Sequence, residues 1–474
     1  MAEKITISPV TRIEGHAKIT IHLDEEGQVK ESFFHVEQYR GFEKFSEGRM
    51  FYEMPQITPR TCGICPVSHH LASIKACDKI AGTEPTPVAR QLRRLMHKGQ
   101  IIQSHGMHFF ELAGPDFIMG FDADPKIRNV AGVIQANPDL AIKAVRLRAY
   151  GQEIIRRLGE RRVHPIFGVP GGVTKPLQPE DREWMLAELD DHIATAQIGL
   201  SFFKDWASQH QDLMDEFAVF PSAYMGLVQE DNALELYGGQ LRLVDENGEE
   251  LEKFDPCNYL EYIGEHVQPF SYLKAPFYKK RGWPQGIYRV GPLGRLNAAT
   301  HISTPMAQSE MKIWKSLNGG KPVEGTLYFH YARLIELVYA LERVREILED
   351  PDILSNDVTN PPDEITGEGI GCIEAPRGTL FHHYWTDEMG VIQRVNMIVA
   401  TGHNAWAMNH SVNMVAKRFV DAANLTEGML NRVEAAIRAH DPCLSCSTHA
   451  MGQMPIHIEL VSADGEVLDT LHRD

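Results

Sequence analysis

The sequence predicts an α-rich α+β fold, with a long central helical bundle and short β-sheets at the N-terminal and C-terminal ends. Two periodicities support this prediction. Apolar and polar residues alternate near the N-terminus, which is the period of a strand. From Pro85 onward, apolar residues recur every three to four positions, which is the period of a helix.

Three β-hairpins are expected. The first spans residues 17–36, and an acidic turn at 24–27 separates its two apolar stretches. The second covers 240–254 around Asn247-Gly248, and the third covers 456–471 around Asp464-Gly465. Two of the three hairpins therefore lie at the ends of the chain.

Helical periodicity accounts for most of the middle of the chain. The predicted helices cover residues 88–112, 140–158, 179–217, 325–349 and 426–439. Neither an internal repeat nor a long linker interrupts them. The sequence is therefore expected to form a single domain over residues 1–474.

Charge and composition exclude some functions. The chain has 47 Lys and Arg against 64 Asp and Glu, a net charge of −17, which argues against binding to nucleic acid or an anionic membrane. It has no apolar run long enough to span a bilayer. The first residues also lack the features of a secretory signal, so a cytoplasmic location is expected.

Seven cysteines are present, and four of them form two C-x-x-C pairs, Cys62/Cys65 and Cys443/Cys446. An odd count in a long chain favours a reducing compartment. The other three are too few for a four-thiolate iron-sulfur cluster, and we expect them to be small buried hydrophobes. They are Cys77, Cys257 and Cys372.

Two C-x-x-C pairs can place four thiolates around one soft metal site, suited to zinc, iron or nickel. A structural zinc site is the simplest interpretation. However, zinc modules usually close a loop of about 15 to 20 residues between their pairs. Here almost the whole chain separates Cys65 from Cys443. A site built from both ends of a chain is more typical of an active site.

The sequence around these pairs resembles the large, catalytic subunit of nickel-iron hydrogenases. The first pair lies in R-x-C-G-x-C-x-x-x-H at 60–69, and the second lies in D-P-C-x-x-C-x-x-H at 441–449. Further segments that look like the family are 12–16 (RIEGH), 40–43 (RGFE), 105–116, 164–172 and 374–379 (EAPRGT). The resemblance covers residues 5–474 in order.

The resemblance implies a particular set of metal ligands. Cys62 and Cys443 would be terminal thiolates on nickel, and Cys65 and Cys446 would bridge nickel and iron. The iron would carry CO and cyanide. A magnesium-type ion near the site would be held by Glu43 and His449.

The resemblance also implies roles in reversible heterolytic cleavage of H2. The Cys443 thiolate would take the proton and pass it to Glu14. Arg377 would polarise the incoming dihydrogen and, with Asp116, form a polar canopy over the open metal position. Three further roles are implied: Pro376 would lie with Arg377 against the cofactor, and Asp441 and His69 would orient the sulfur ligands.

Each of these polar residues also has a simpler interpretation. Glu14 fits a capping box with Thr11, although an alternating strand follows it rather than a helix. The remaining alternatives are a solvated charge for Glu43, a turn residue for Asp116, a helix end for Asp441 and a surface loop charge for Arg377.

Electrons would have to leave through other subunits. The sequence has neither G-x-G-x-x-G after a strand nor a P-loop, so it is not expected to bind a dinucleotide itself. The segments 441–460 and 401–404 look most like soluble NAD-linked, bidirectional enzymes. That resemblance implies an iron-sulfur small subunit together with flavin-containing diaphorase subunits, with iron-sulfur clusters, FMN and NAD on the partners. A chain linked to coenzyme F420 or another acceptor is the alternative.

The resemblance further implies that a maturation protease removes residues 450–474, a C-terminal extension. Two other classes of protein are considered. One is a zinc-stabilised, non-catalytic scaffold. The other is a related core subunit of a respiratory complex, which should lack one or both cysteine pairs, whereas this chain keeps all four thiols.

Overall fold

The computed structural model describes residues 4–448, 456–462 and 467–473. All five predicted helices are present in it. Their observed bounds are Pro87–Met107, Pro138–Gly159, Pro179–Gln209, Tyr328–Glu349 and Glu427–His440. The first of these continues through a π-helical turn at His108–Ala113, and the predicted 179–217 helix breaks at His210 before a short helix, Gln211–Glu216. Other helices cover Pro66–Ile80, Gly291–Ala298, Pro305–Ser316 and Ala405–Phe419.

The Tyr328–Glu349 helix lies at the centre of the bundle and packs against Pro87–Met107, Pro179–Gln209 and Gly291–Ala298. Nearly every residue from Phe329 to Glu342 is buried, which is typical of a helix surrounded by protein. Two of its charged residues, Arg333 and Glu336, are fully buried. They therefore need partners on the neighbouring elements.

Two glycines allow the Pro87–Met107 and Pro138–Gly159 helices to approach closely. A Cβ added to Gly151 would lie 2.5 Å from the carbonyl oxygen of Gly99. The first helix also carries Gln100, whose side-chain Nε2 donates a hydrogen bond to the carbonyl of Ile64 (2.8 Å), between the first pair of cysteines. This helix packing therefore fixes one wall of the cysteine site.

The predicted N-terminal hairpin is confirmed by antiparallel strands Lys18–Leu23 and Val29–His35. A third strand, Lys4–Ile7, pairs antiparallel with the first. The 240–254 hairpin is also confirmed, as Gln240–Val244 and Glu250–Phe254. At the C-terminus, Ile456–Val461 pairs antiparallel with Val467–Arg473, whereas the predicted turn at Asp464-Gly465 lies outside the described residues.

Two sheets in the middle of the chain contain strands that the periodicity did not predict. One contains the antiparallel strands Glu368–Ala375, Gly378–Thr386 and Ile392–Ile398. The other adds Tyr288–Arg289 and Ala223–Val228 to the 240–254 hairpin. In Ala223–Val228 every residue is buried, so apolar and polar residues do not alternate. The remaining strands are Gly168–Val169, Gly172–Val173, Ile263–Gln268 and Ser271–Tyr278.

Across the described ranges, none of the helices is both long and apolar enough to cross a bilayer. The expectation for the three single cysteines is confirmed for Cys77 and Cys372, which are buried. It is wrong for Cys257, which is exposed in a short surface turn, Pro256–Asn258. Side chains in a three-residue surface turn stay accessible to solvent, whereas those on a helix inside the bundle are covered by neighbouring elements.

Candidate metal centre

The four cysteines of the two pairs form one buried cluster, and their Sγ atoms all lie within 4.8 Å of one another. Sγ to Sγ distances are 3.2 Å for Cys62 and Cys443, 3.3 Å for Cys65 and Cys446, and 3.8 Å for Cys65 and Cys443. The Cys443 and Cys446 sulfurs are 2.8 Å apart. None of the four cysteines is joined in a disulfide, and these separations exceed a disulfide bond of about 2.05 Å. The cluster is therefore open to a metal.

Short turns present each pair to the cluster. Cys62 follows the turn Thr58–Thr61, and Cys65 immediately precedes the Pro66–Ile80 helix. The backbone N–H groups of Ile64 and Cys65 point at the Cys62 sulfur, at 3.2 and 3.4 Å. Cys443 precedes the short helix Leu444–Ser447, which contains the fourth cysteine, and its N–H donates to the Thr401 hydroxyl at 2.9 Å. Both pairs are thus held by backbone contacts.

The pKa values of the four thiols are shifted in different directions. The pKa of the Cys62 thiol is lowered well below its usual value by hydrogen bonds from the other three cysteines, and Arg377 adds to the effect. Burial raises the pKa of Cys443 and of Cys446 well above the usual range. A coordinated metal ion reverses this preference, because a coordinating thiol is deprotonated. Four converging sulfurs suit a soft transition metal.

Arg377 and Asp441 form a buried ion pair beside the cysteines. The Arg377 Nη2 atom donates to Asp441 Oδ1 at 3.0 Å, and both side chains are 2% exposed. Burial alone would lower the pKa of Arg377, but Asp441 and the thiolates reverse this and raise it well above its usual value. Arg377 is therefore a fixed cation facing the sulfurs. The surface-charge alternative for it is wrong.

Asp441 combines two roles. It ends the Glu427–His440 helix in a left-handed conformation, with φ of 55°, as the helix-end alternative expected. Its carboxylate is nevertheless buried against Arg377. Burial raises the pKa of Asp441, and the two neighbouring arginines, Arg377 and Arg333, oppose the rise.

Glu14 lies next to the second cysteine pair. Its Oε2 atom accepts a hydrogen bond from Ser445 N–H (3.1 Å), and its carbonyl accepts one from Leu444 N–H (3.2 Å). An isolated parallel β-bridge joins Glu14 to Cys443. The capping-box alternative is wrong, because no helix begins here and Thr11 bonds to Glu434 instead.

Asp116 is buried, but it contacts neither the cysteines nor Arg377 through any hydrogen bond or ion pair among the residues that the structure describes. Its carboxylate pairs with Arg12 (2.5 Å) and Arg438, and accepts a hydrogen bond from Asn431 (3.0 Å). It lies in the Gly114–Met119 helix, so the turn alternative is wrong. Asp116 therefore links the N-terminal segment to the Glu427–His440 helix through ion pairs and a hydrogen bond.

His69 begins a buried chain of hydrogen bonds that sequence reasoning missed. Its Nδ1 atom lies 3.0 Å from Nε2 of His382, and His382 Nδ1 in turn bonds to the Tyr384 hydroxyl. That hydroxyl donates to Ser73 Oγ at 3.0 Å. The consecutive polar residues 382–384 in an otherwise apolar stretch are the signal that could have indicated this chain.

Glu43 is buried, and its Oε1 atom accepts a hydrogen bond from Met397 N–H at 2.7 Å. The solvated-charge alternative is therefore wrong. His449 lies outside the described residues. The predicted magnesium-type site that pairs these two residues stays a prediction.

Two residues from the other family-like segments contact the cysteine motifs, and one of them contacts both. Arg40 donates from its backbone N–H to the Thr448 carbonyl (2.9 Å) and from Nη1 to the Thr61 carbonyl (2.5 Å). His164 Nε2 lies 3.2 Å from the carbonyl of Cys62. Arg40 therefore links the turn before the first pair to the turn after the second.

This arrangement defines a class of protein: an α-rich metalloprotein whose two ends supply a buried four-thiolate centre beside an arginine-carboxylate pair. A sequence profile described as nickel-dependent hydrogenase matches residues 40–136 and 225–449, and one described as HoxL-like matches 4–39. The chain belongs to the nickel-dependent hydrogenase family.

Individual relatives are similar over most of the length. The chain is 43% identical to the beta subunit of the NAD-reducing hydrogenase HoxS of Cupriavidus necator, over 99% of each chain. It is 45% identical to a vhu subunit of the F420-non-reducing hydrogenase of Methanococcus voltae, over 87% of this chain and 98% of the relative.

Solved structures share the fold. The crystal structure of an NAD+-reducing [NiFe]-hydrogenase in the H2-reduced state superposes with a TM-score of 0.92 and 40% identity, covering 94% of this chain and 99% of that one. The Ni-Fe-Se hydrogenase of D. vulgaris Hildenborough matches at a TM-score of 0.76 and 24% identity, over 95% of this chain and 100% of that one. The second match concerns the fold alone.

Proposed function

We propose that this chain is the catalytic subunit of a nickel-iron hydrogenase that cleaves H2 reversibly and heterolytically. The observation that carries the proposal is the position of the four cysteine sulfurs beside the Arg377–Asp441 pair, with Glu14 against the second cysteine pair. Heterolytic cleavage needs an acceptor for the electron pair of H2 and a base for its proton. The thiolate cluster would hold the metals that accept the electron pair, and the groups beside it would take the proton in the same buried site.

The four thiolates of Cys62, Cys65, Cys443 and Cys446 would together hold nickel and iron. When bound, this metal pair supplies the Lewis acidity that accepts the electron pair of H2. The family resemblance assigns CO and cyanide to the iron. Every polar group described below acts on the proton or on the orientation of the site.

The Cys443 thiolate accepts the proton and Glu14 carries it away. Support comes from the bridge between the two backbones and from the hydrogen bond that holds the Glu14 carboxylate to Ser445. Because Glu14 is only partly buried, its side chain lies between the enclosed cluster and more open surroundings. It can therefore pass a proton outward.

Arg377 polarises dihydrogen as it enters the site, and Asp441 keeps the guanidinium in place. A buried guanidinium that is held by a carboxylate keeps its charge and its direction. Pro376 precedes Arg377 in the same turn, and with Arg377 it would lie against the cofactor. We further propose that Glu43 and His449 hold a magnesium-type ion.

Electrons pass from this chain to an iron-sulfur small subunit, then through flavin-containing diaphorase subunits to NAD, in the cytoplasm. The Cupriavidus relative is named as one subunit of an NAD-reducing enzyme, which supports this acceptor. The Methanococcus relative is named F420-non-reducing, which disfavours the F420-linked alternative. The alternative is an electron acceptor other than NAD, and the assay of NAD+ reduction described next distinguishes the two.

The test is to purify the native complex, measure its metals and assay its reactions. We expect nickel and iron in the chain, H/D exchange between D2 and water, and H2-dependent reduction of NAD+. Zinc alone, without exchange, would overturn the hydrogenase proposal and leave the scaffold alternative. Exchange without NAD+ reduction would support the hydrogenase proposal and overturn the proposal that NAD is the electron acceptor.

We also propose that a maturation protease removes residues 450–474 after His449. The family resemblance supports this cleavage. Intact-mass measurement of active enzyme checks it: the expected mass is that of a chain ending at His449. Active enzyme whose chain ends at Asp474 would overturn the proposal.

A further inference from the structure

We propose that Arg295 is a positioning residue that sets the orientation of Arg377 without touching the site itself. The inference rests on the proposed function of Arg377. Arg295 lies in the Gly291–Ala298 helix and is fully buried. Its hydrogen bonds reach the backbone just before Arg377 rather than the Arg377 guanidinium.

Two carbonyls of the turn accept hydrogen bonds from Arg295. Nη1 donates to the carbonyl of Ala375 at 2.8 Å, and Nη2 donates to the carbonyl of Pro376 at 3.1 Å. These are the two residues that precede Arg377. Because Ala375 pairs with Gly378 across the strands, the turn holds only Pro376 and Arg377. Arg295 therefore holds the backbone on the N-terminal side of Arg377, which sets the direction of the guanidinium.

Carboxylates hold Arg295 in turn. Glu336 accepts from Nε and Nη2 at 2.6 Å each, and Glu374 Oε2 accepts from Nη1 at 2.9 Å. The other oxygen of Glu374 accepts from the Thr379 hydroxyl (2.9 Å) on the far side of the turn. Both carboxylates are fully buried. The same hydrogen-bond network therefore includes residues of both strands that flank the turn.

The start of the Gly291–Ala298 helix also supports the turn from behind. A Cβ added to Gly291, whose φ is 80°, would lie 2.9 Å from the carbonyl oxygen of Arg377. One added to Gly378 would lie 2.3 Å from a methyl group of Val290. The backbone on either side of Arg377 is therefore packed directly against the helix that carries Arg295.

Lysine cannot replace this guanidinium. Arg295 makes five hydrogen bonds from three nitrogens arranged in a plane, whereas a lysine has a single nitrogen with three donors. An Arg295→Lys variant keeps the positive charge between Glu336 and Glu374. It cannot donate to the Ala375 and Pro376 carbonyls at the same time as to both carboxylates, so the backbone of the turn becomes more mobile.

The chain offers a matched control. Arg289 is also fully buried, and it donates to Ser222, Glu324, Phe220 and Tyr224 rather than to the carbonyls of the turn before Arg377. Arg289→Lys therefore removes a comparable buried guanidinium while both Arg295 hydrogen bonds to the turn remain in place.

The experiment compares Arg295→Lys, Arg289→Lys and unmodified enzyme as purified complexes, with H/D exchange normalised to nickel content. A displacement of about 1 Å at a catalytic group can cost about 100-fold in rate. We expect exchange per nickel to fall at least about 10-fold in Arg295→Lys and to stay within about 2-fold in Arg289→Lys. A crystal structure of Arg295→Lys should show the Arg377 guanidinium moved by more than about 0.5 Å.

Equal exchange rates for the two variants, or an unmoved Arg377 in the Arg295→Lys crystals, would overturn the inference. If Arg295→Lys does not fold, Thr379→Val provides the second test, because it removes one anchor of Glu374 and keeps every charge. It should reduce exchange per nickel by about 3-fold or more, and an unchanged rate would also overturn the inference. Unmodified enzyme without exchange or nickel would instead reject the proposed function.

Discussion

Glu14 and Cys443 lie side by side in a parallel β-bridge, and the Glu14 carboxylate accepts a hydrogen bond from Ser445 N–H at 3.1 Å. The carboxylate is thereby anchored to the segment that carries two of the four thiolates. Gly15 follows with φ of 87°, and a Cβ added to it would lie 2.7 Å from Leu444 Cβ, so a larger residue here would push the two segments apart. The arrangement provides a direct test of how the proton leaves.

Replacing Glu14 with Gln should slow H/D exchange and turnover by about 100-fold or more, because the amide cannot carry a proton. Nickel and iron contents should be unchanged, since Glu14 is not among the assigned metal ligands. Glu434→Gln is the control: this carboxylate bonds to Thr11 in the same N-terminal segment but not to the cysteine loop. Undiminished exchange in Glu14→Gln would reject the assigned role.

Arg377→Lys should reduce exchange per nickel by about 10-fold to 100-fold, and Arg377→Gln should reduce it further. Lysine keeps the charge but loses the fork that reaches Asp441 and Ser104 together. Glutamine loses the charge as well. Hydrogen uptake at several H2 pressures, with metal content measured on the same samples, checks this order. Equal activity of the two variants would contradict it.

Cys443→Ser and Cys446→Ser should each lose bound nickel and iron, because a hydroxyl is a poor ligand for soft metals. The fold should persist, because serine differs from cysteine only in the oxygen that replaces the sulfur. Cys257→Ser is the matched control, because this thiol is exposed and outside the cluster. Elemental analysis and circular dichroism provide the readouts. Retention of both metals in either cluster variant would argue against the assigned ligands.

Asp116 should contribute stability that depends on pH. Burial alone would raise its pKa, but Arg438 and Arg12 lower it below the usual value. The unfolded state therefore binds the proton more readily, and the stabilisation is complete above pH about 4 and lost as pH falls further. Asp116→Asn should reduce the free energy of unfolding by about 3 to 5 kcal/mol at pH 7.

The difference between unmodified chain and Asp116→Asn should shrink when urea unfolding is repeated at lower pH. Asp122→Asn is the control, because Asp122 forms its ion pair with Arg432 at the surface. That variant should change the free energy of unfolding by less than about 1 kcal/mol. A pH-independent difference for Asp116→Asn would contradict the electrostatic account.

Gly151→Ala should destabilise the chain by about 1 to 3 kcal/mol, because the new methyl would meet the Gly99 carbonyl and Gln103 N–H. The helix that must shift also carries Gln100, which bonds to the first cysteine loop. Gly238→Ala is the control, since none of the described residues comes within 4 Å of its added Cβ. Thermal unfolding of both variants measures the difference. Equal melting temperatures would contradict the prediction, because they would show that the two helices can move apart without a loss of stability.

Much of the fold followed from periodicity, because long amphipathic helices and exposed hairpins leave clear patterns. The strands Ala223–Val228 and Gly378–Thr386 did not, since burial on both faces removes the alternation that marks a strand. The latter strand carries His382 and Tyr384, so missing it also hid the hydrogen-bond chain to His69.

The four cysteines could be predicted as one site because their spacing and chemistry are distinctive. The positions of Asp116 and Arg295 could not, because a charged residue in a helical pattern gives no sign of which distant partner will neutralise it. Asp116 pairs with Arg12 and Arg438 from opposite ends of the chain. Such pairings are set by tertiary packing, which periodicity does not encode.

The bridge between Glu14 and Cys443 joins two segments that are synthesised far apart in time. A growing polypeptide that has not yet reached Cys443 has only two of the four thiolates of the cluster. Translation must therefore pass Cys446 before all four thiolates can bind metal together. A chain that stops before Cys446 cannot assemble the four-thiolate site.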